Sequence, residues 1–179
     1  SELTMVMRGM VLDIEGNVVG QCLPKFFNLN EVEATKVENL PPLPHEVFLK
    51  ADGSLIHSYL NPVEGKWQHS SKCSFTNEYV DAAYRFLTDI RMAWALPDYI
   101  SLVSEIRFDE DKMRRVTNMM PGLYLITAYD KRDGSELSRG RLEQLAEKLG
   151  ISIVEAFGPS LEERLTTFQG DKDTEGYVV

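Results

Sequence analysis

The stretch FLKADGSLIHSYL, residues 48–60, places the dipeptide Asp52-Gly53 between two segments with the composition of β-strands. An Asp-Gly pair in this setting is a common signal for a tight β-hairpin. We therefore predict two antiparallel strands joined at Asp52-Gly53, with Lys50 directly before the turn. From this stretch alone, Lys50 is either an exposed lysine at a hairpin or a nucleophile held toward a ligand.

A second hairpin is predicted on the N-terminal side of this stretch. Two apolar segments, residues 5–14 and 18–23, flank the turn-like sequence EGN at 15–17. A loop rich in acidic residues and proline follows and ends with LPPLPHE at 40–46. This loop separates the first hairpin from the strand that carries Lys50.

Helical patterns begin after the hairpin predicted at Asp52-Gly53. The first starts near Asn77, a good N-cap residue, and ends at Pro97. Its apolar face would contain Val80, Ala83, Tyr84, Leu87 and Ile90. We predict a second helix over 139–150, ending on a glycine, and a short third helix over 160–168, which opens with capping-box spacing.

Further strands are predicted between and after these helices. They cover residues 99–108, 123–130 and 151–157, and a last strand begins at Tyr177. The combination of antiparallel strands with interspersed helices predicts an α+β domain with mainly antiparallel sheets and flanking helices, rather than alternating βαβ units.

Composition limits the functional classes. The 179 residues, with 43% hydrophobic and 26% charged side chains, suit one soluble domain, and no apolar run is long enough to span a bilayer. Two cysteines support neither a disulfide framework nor a four-ligand zinc site, so we expect a reduced, cytoplasmic protein. A net charge of −9 argues against general coating of nucleic acid, but it allows a local basic pocket for a small phosphorylated ligand.

Lys50 also has a specific chemical interpretation. It could attack the α-phosphorus of a nucleotide and form a phosphoramidate, a reaction that needs the neutral amine and nearby cations or a metal ion. Gly53, which has no side chain, would let the backbone approach such a nucleotide closely.

Other segments carry candidate partners for Lys50. Lys25 precedes Phe26 and Phe27, which on structural grounds alone would be core residues with the lysine lying over them. Lys72 lies in SSKCS, and Glu175 directly precedes a glycine at the start of the last strand. Each signal is weak by itself, and their order along the chain is the stronger observation.

In this order the segments resemble the nucleotidyltransferase domain of phage T4-type RNA ligases, within the covalent nucleotidyltransferase superfamily. The resemblance covers nearly the whole chain, from about Arg8 to Val179, and implies an ATP-grasp-like ligase adenylation fold. The matching segments are RGMVLD (8–13), PKFFNLNE (24–31), KADGSLIHSYL (50–60), SSKCS (70–74), SLVSEIRF (101–108), LYLITAYD (123–130) and TEGYVV (174–179).

The resemblance implies roles for the basic and aromatic residues of these segments. Lys50 would be the lysine that becomes adenylylated. Arg8, Lys25 and Lys72 would line the nucleotide site, where the two lysines act as point charges for phosphates. Phe27 would pack on a flat surface of the ligand.

The resemblance also implies roles for two carboxylates and two glycines. Glu105 would engage the ribose or the metal ion, and Glu175 would lie at a metal ion. Gly53 would belong to the loop of the nucleophile. Gly176, which has no side chain, would leave space beside the backbone for the nucleotide.

As a whole, the resemblance implies an ATP-dependent RNA ligase of RNA repair or processing. AMP would be bound covalently to Lys50 with Mg²⁺ or Mn²⁺ present, and RNA 5′-phosphate and 3′-hydroxyl ends would be the partners of a monomer. We expect residues 1–179 to be a nucleotidyltransferase domain cut before the lysine pair of the family's fifth motif and without the C-terminal specificity domain.

Departures from the family pattern keep two alternatives open. SEIRF replaces the usual sequence around the third-motif glutamate, and Cys73 stands where glycine is expected. One alternative is a related covalent nucleotidyltransferase, either a DNA ligase or an mRNA-capping guanylyltransferase. The other is a non-catalytic module that binds nucleotides or RNA ends.

Overall fold

The computed structural model describes residues 5, 7–108, 119–158, 163, 164, 166 and 174–179. These residues form an α+β structure with mainly antiparallel sheets, which confirms the predicted fold class. The strands are β1 (Val11–Leu12), β2 (Val18–Gly20), β3 (Val47–Leu49), β4 (Ser54–Asn61), β5 (Lys66–Ser71), β6 (Ile100–Arg107), β7 (Gly122–Asp130), β8 (Ser135–Glu136), β9 (Ser152–Ile153), β10 (Ala156–Phe157) and β11 (Tyr177–Val178). The longer helices are α1 (Glu78–Phe86), α2 (Asp89–Ala95) and α3 (Arg139–Leu149), with 3₁₀ turns at Glu33–Thr35 and Val37–Asn39.

A large sheet organises the molecule. Its strands lie in the order β5-β4-β6-β7-β8, and β9 pairs with β7 in parallel. Because side chains alternate between the two faces of a strand, Ile56, Leu102 and Leu125 face a core packed against the helices. Leu55 and Glu105, which are paired in register, lie on the opposite face.

A small sheet carries the segment that precedes Lys50. Its order is β10-β3-β11, and both pairings are antiparallel, so β3 is the central strand. Directly after β3, the backbone N–H of Lys50 donates to the carbonyl of Gly176 at 2.9 Å. The start of β11 therefore fixes the backbone position of Lys50.

The predicted hairpin around Asp52-Gly53 is wrong. β3 pairs with β10 and β11, whereas β4 pairs with β5 and β6, so the dipeptide carries the chain from the small sheet to the large one. Asp52 is buried, and a Cβ atom on Gly53 would lie 2.2 Å from the carbonyl oxygen of Ile106. Glycine is needed here for the close approach of two backbones rather than for a tight turn.

The hairpin predicted near the N-terminus is confirmed, although its strands are shorter than expected. β1 and β2 pair in antiparallel fashion across the turn at 15–17. The Asp13 carboxylate accepts from the backbone N–H groups of Glu15 at 2.9 Å and Asn17 at 2.8 Å. This local bonding explains why the turn could be predicted from sequence.

The single helix predicted from Asn77 to Pro97 is two helices. Asn77 caps α1 as predicted, because its side chain accepts from the N–H of Val80 at 2.9 Å. Thr88 then caps α2, and its hydroxyl accepts from the N–H of Arg91. The break turns Ile90 out of the predicted apolar face, and this residue is 81% exposed.

Two further predictions concern the C-terminal third. α3 is followed by Gly150 as its C-cap, with a left-handed φ of 61°. This confirms the prediction that the helix ends on a glycine. The strand predicted over 151–157 divides into β9 in the large sheet and β10 in the small one. Of the helix predicted over 160–168, residues 163, 164 and 166 are helical and the others lie outside the described residues.

Each helix within the described ranges is too short or too polar to cross a membrane.

Candidate functional site

Lys50 lies where the chain leaves the small sheet. Its Nζ atom forms an ion pair with the carboxylate of Glu175, which lies two residues before the start of β11. The side chain of Lys50 is 38% exposed and that of Glu175 is 22% exposed. The amine is therefore held by a carboxylate while remaining accessible to a ligand.

Glu105 approaches the same amine from the large sheet. The backbone N–H of Gly53 donates to its carboxylate, and Lys50, Glu175 and Asp52 are all close enough to affect its charge. Burial raises the pKa of Glu105 to about 8; Lys50 opposes this increase, whereas Glu175 and Asp52 add to it. A cation at this position would favour the ionised carboxylate.

A cavity of about 660 Å³ lies between the two sheets and brings together four of the predicted residues. Arg8, Lys50, Lys72 and Glu105 all line it. Lys72 follows β5 at one edge of the large sheet, whereas Glu105 lies two strands away on β6. Arg8 and Lys72 both act on the charge of Cys22, so these two cations lie near each other, where a phosphorylated ligand would place its negative charge.

Gly53, Glu175 and Gly176 complete the surroundings of Lys50. Gly53 contacts the β6 backbone beside Glu105 and so lets Lys50 and Glu105 come close. Glu175 and Gly176 line a second, adjoining cavity of about 790 Å³, which is also lined by Lys50 and Phe27. Lys50 is thus common to both cavities.

Lys25 is placed differently. Its Nζ lies 4.3 Å from the ring centroid of Phe27, and it is not among the described lining residues of either cavity. Phe26 is 52% exposed and Phe27 is half-buried, so the interpretation of these two rings as core residues is wrong. The lysine does lie over an aromatic ring, as that interpretation proposed.

Cys22 and His57 form a buried pair beside the cations of the first cavity. The Sγ of Cys22 lies 2.7 Å from Nε2 of His57. Burial raises the pKa of the Cys22 thiol to about 11, although Arg8 and Lys72 act in the opposite direction, and burial lowers the pKa of His57 to about 4. Both groups are neutral near pH 7, so neither supplies a thiolate nucleophile or an imidazolium acid.

The two glutamates are the donors available for a metal ion beside Lys50. No cluster of three or more His, Cys, Asp or Glu side chains suited to a metal ion occurs within the described residues. Mg²⁺ is commonly held by one or two carboxylates together with substrate phosphates and water. Glu105 and Glu175, whose charges repel each other, fit this kind of site.

Sequence reasoning did not single out several other residues that line the first cavity. Ile126, Leu142 and Val154 supply apolar surface, while Thr127, Glu136 and Arg139 supply polar groups. Ile126 and Thr127 lie within the matching segment LYLITAYD (123–130), which suggested no role for them, and the other residues belong to no recognisable short motif. The one available signal was Thr127, a polar residue near the centre of an otherwise apolar strand.

Several solved structures of one RNA ligase have a similar fold. The chain is similar to Naegleria gruberi RNA ligase with PPi, at 16% identity and a TM-score of 0.55, over 74% of this chain and 44% of that chain. Two mutants of the same ligase match with the same identity and coverage, one with ATP and Mn at a TM-score of 0.57 and one with AMP and Mn at 0.56. The chain therefore spans less than half the length of these ligases.

Sequence comparison identifies the family. No curated protein sequence matches the chain. The sequence profile of T4-type RNA ligases matches residues 6–179, nearly the entire sequence. The chain therefore belongs to the T4-type RNA ligase family.

Proposed function

We propose that this chain is the adenylylation domain of an ATP-dependent RNA ligase and that Lys50 is its nucleophile. The observation that carries the proposal is the position of the Lys50 amine. It lies close to two carboxylates, Glu105 and Glu175, in the lining of a cavity that also includes Arg8 and Lys72. Family membership and the ligand-bound Naegleria structures support the same interpretation.

The proposed orientation of ATP follows from the charge distribution in the cavity. Arg8 and Lys72 would bind its phosphates, and the apolar surface of Ile126 and Val154 would take the base. A small number of polar groups in a largely apolar cavity is typical of nucleotide-sized ligand sites. This orientation leaves the α-phosphorus near Lys50.

Three displacements at phosphorus then follow. The Lys50 nitrogen forms a bond to the α-phosphorus, the bond to the bridging oxygen breaks, and pyrophosphate leaves. An oxygen of the RNA 5′-phosphate next attacks this phosphorus, and the bond to Lys50 breaks. Finally, an RNA 3′-hydroxyl attacks the 5′-phosphate, forms the phosphodiester and releases AMP. Such reactions depend mainly on positioning and charge neutralisation.

The ion pair between Lys50 and Glu175 has to separate before the first step, since an ammonium group has no electron pair for attack. A divalent cation held by Glu105 and Glu175 would supply charge neutralisation for the phosphates. Once Glu175 releases the amine, Lys50 would be able to lose its proton, and its electron pair would become available for attack. Arg8 and Lys72 would remain as fixed positive charges along the phosphates.

The test is covalent labelling with ATP that carries the label on its α-phosphate. We expect the parent protein to become labelled in the presence of Mg²⁺ and Lys50→Ala to show only background label. Added pyrophosphate should remove the label from the parent, because the first step is reversible.

A matched control separates the nucleophile from lysines in general. Lys148 lies in the last turn of α3 and is exposed, so Lys148→Ala should be labelled like the parent. Equal labelling of Lys50→Ala and the parent would contradict the proposal. Labelling with GTP or NAD but not with ATP would point to the related nucleotidyltransferases instead.

A further inference from the structure

A small polar cluster lies in the cavity wall at the edge opposite Lys72. Thr127 is on β7, Glu136 is on β8, and Arg139 is the first residue of α3. In the strand order β5-β4-β6-β7-β8, β8 and the strand preceding Lys72 are the two ends of the path. Glu136 is therefore at the edge of the sheet opposite the strand that leads to Lys72, and Thr127 is one strand further in.

Thr127 positions the carboxylate of Glu136. The hydroxyl of Thr127 donates to Oε1 of Glu136 at 2.5 Å, and Thr127 itself is 2% exposed. A buried threonine has few rotamers available, so it holds the carboxylate in one orientation. Because a carboxylate accepts at two oxygens, this single bond leaves Glu136 able to accept from a ligand.

Arg139 supplies a donor beside this acceptor. Its Nε donates to Glu143 at 3.0 Å, whereas its Nη1 is buried and has no hydrogen-bond partner among the described residues. A buried guanidinium N–H without a partner is unfavourable. A ligand that brings an acceptor into the cavity would relieve this cost.

We propose that Glu136 and Arg139 select the base of the bound nucleotide, with Thr127 as a positioning residue. This inference rests on the proposed function, in which the phosphates point toward Arg8 and Lys72. Glu136 accepts from the 6-amino group of adenine, and Arg139 donates to a ring nitrogen of the same base. The surrounding apolar side chains, Ile126, Leu142 and Val154, pack on the faces and edges of the ring.

The bond from Thr127 favours adenine over guanine. A carboxylate recognises guanine best through both oxygens, which accept from N1–H and the 2-amino group. The bond from Thr127 fixes the orientation of Glu136 and takes up one acceptor position on Oε1, so Oε2 is the less occupied acceptor and suits a single amino donor. A 6-keto group would instead place its oxygen against the carboxylate, and this repulsion disfavours guanine and hypoxanthine.

The test compares ATP with ITP, whose base carries a 6-keto group in place of the 6-amino group. Dissociation constants are measured by displacement of a fluorescent ATP analogue without Mg²⁺, so that Lys50 is not adenylylated during the titration. We expect the parent to bind ATP more tightly than ITP by about tenfold or more, the range expected for one hydrogen bond to a charged group. Glu136→Gln should lose most of this preference, because the glutamine amide can donate to the 6-keto oxygen.

Two further variants complete the design. Thr127→Val keeps the shape of the side chain but removes its hydroxyl, and it should reduce the preference for ATP in part. Glu147→Gln changes an exposed carboxylate of α3 outside the cavity and should keep the parent's preference.

The possible failures are distinguishable. An equal affinity of the parent for ATP and ITP, or an unchanged preference in Glu136→Gln, would overturn the role of Glu136 in base selection. Neither result would affect the proposed function if Lys50 still becomes labelled. Absence of all nucleotide binding by the parent would overturn both proposals.

Discussion

At the scale of single residues, the position of Lys50 depends on groups from two distant parts of the chain. Its amine is paired with Glu175, its backbone is bonded to Gly176, and Glu105 faces it from the large sheet. Lys50 directly follows a strand of the small sheet, whereas the half-buried Glu105 lies on a strand of the large sheet. A reactive position of this kind requires both sheets to be in place at once.

Gly53 gives a stability prediction at this scale. A Cβ on Gly53 would lie 2.2 Å from the carbonyl oxygen of Ile106, so Gly53→Ala must push two backbones apart. We expect the free energy of unfolding to fall by about 1–3 kcal/mol, the usual range for overpacking. Labelling of Lys50 should fall as well, because the loop that carries it moves away from Glu105.

Gly140 provides the matched control. It is a helical glycine of α3, and a Cβ there meets no atom within 4 Å. Gly140→Ala should therefore leave stability unchanged or raise it by up to about 1 kcal/mol, since alanine is the better helix former. Denaturant unfolding of both variants measures the difference, and an equal effect of the two substitutions would contradict this role of Gly53.

Motifs identify residues that share a segment or an order along the chain, and they miss residues brought together only by folding. The order of segments pointed to Lys50, Lys72, Glu105 and Arg8, and these line one cavity. Glu136 and Arg139 carry no such signal, because their relation to the cavity depends on how β8 and α3 pack against the sheet.

At the scale of elements, the helix caps were predictable, whereas the partners of β3 were not. The caps at Asn77 and Gly150 were predictable because each cap depends on a few neighbouring residues. The Asp52-Gly53 hairpin was wrong because distant strands, β10 and β11, compete for the pairing positions of β3. The local sequence pattern of β3 does not show which distant strands pair with it.

The cap of α1 offers a test at this scale. Asn77→Ala removes the side chain that accepts from the N–H of Val80 and should lower the free energy of unfolding by about 0.5–2 kcal/mol. Asn77→Asp retains an acceptor and should keep most of that stability. Chemical denaturation of the two variants decides the point, and equal losses would show that the cap contributes little.

At the scale of the whole molecule, buried ionisable groups predict how stability depends on pH. Burial raises the pKa of Glu105 from 4.5 to about 8, so the folded protein keeps a proton that the unfolded chain releases. The contribution of Glu105 to the free energy of unfolding therefore falls as the pH rises from 4.5 to 8. Burial lowers the pKa of both His57 and His69 from 6.5 to about 4, so their contribution falls as the pH decreases from 6.5 to 4.

From these three groups we expect the ligand-free protein to be most stable near pH 6.5. Between pH 6.5 and 8 the free energy of unfolding should fall by about 1–3 kcal/mol. Glu105→Gln cannot ionise at this position and should remove most of the decrease. The measurement is urea unfolding at several pH values, and an equally steep decrease in the variant would contradict the assignment to Glu105.

The central position of β3 in the small sheet also affects how the protein folds during its synthesis. The ribosome releases Lys50 long before it releases Ala156 and Tyr177, which pair with β3. The neighbouring strands β4 to β7 can associate earlier, because their partners follow one another closely in the chain. A nascent chain can thus form the large sheet while Lys50 still lacks Glu175, so the reactive centre is assembled last.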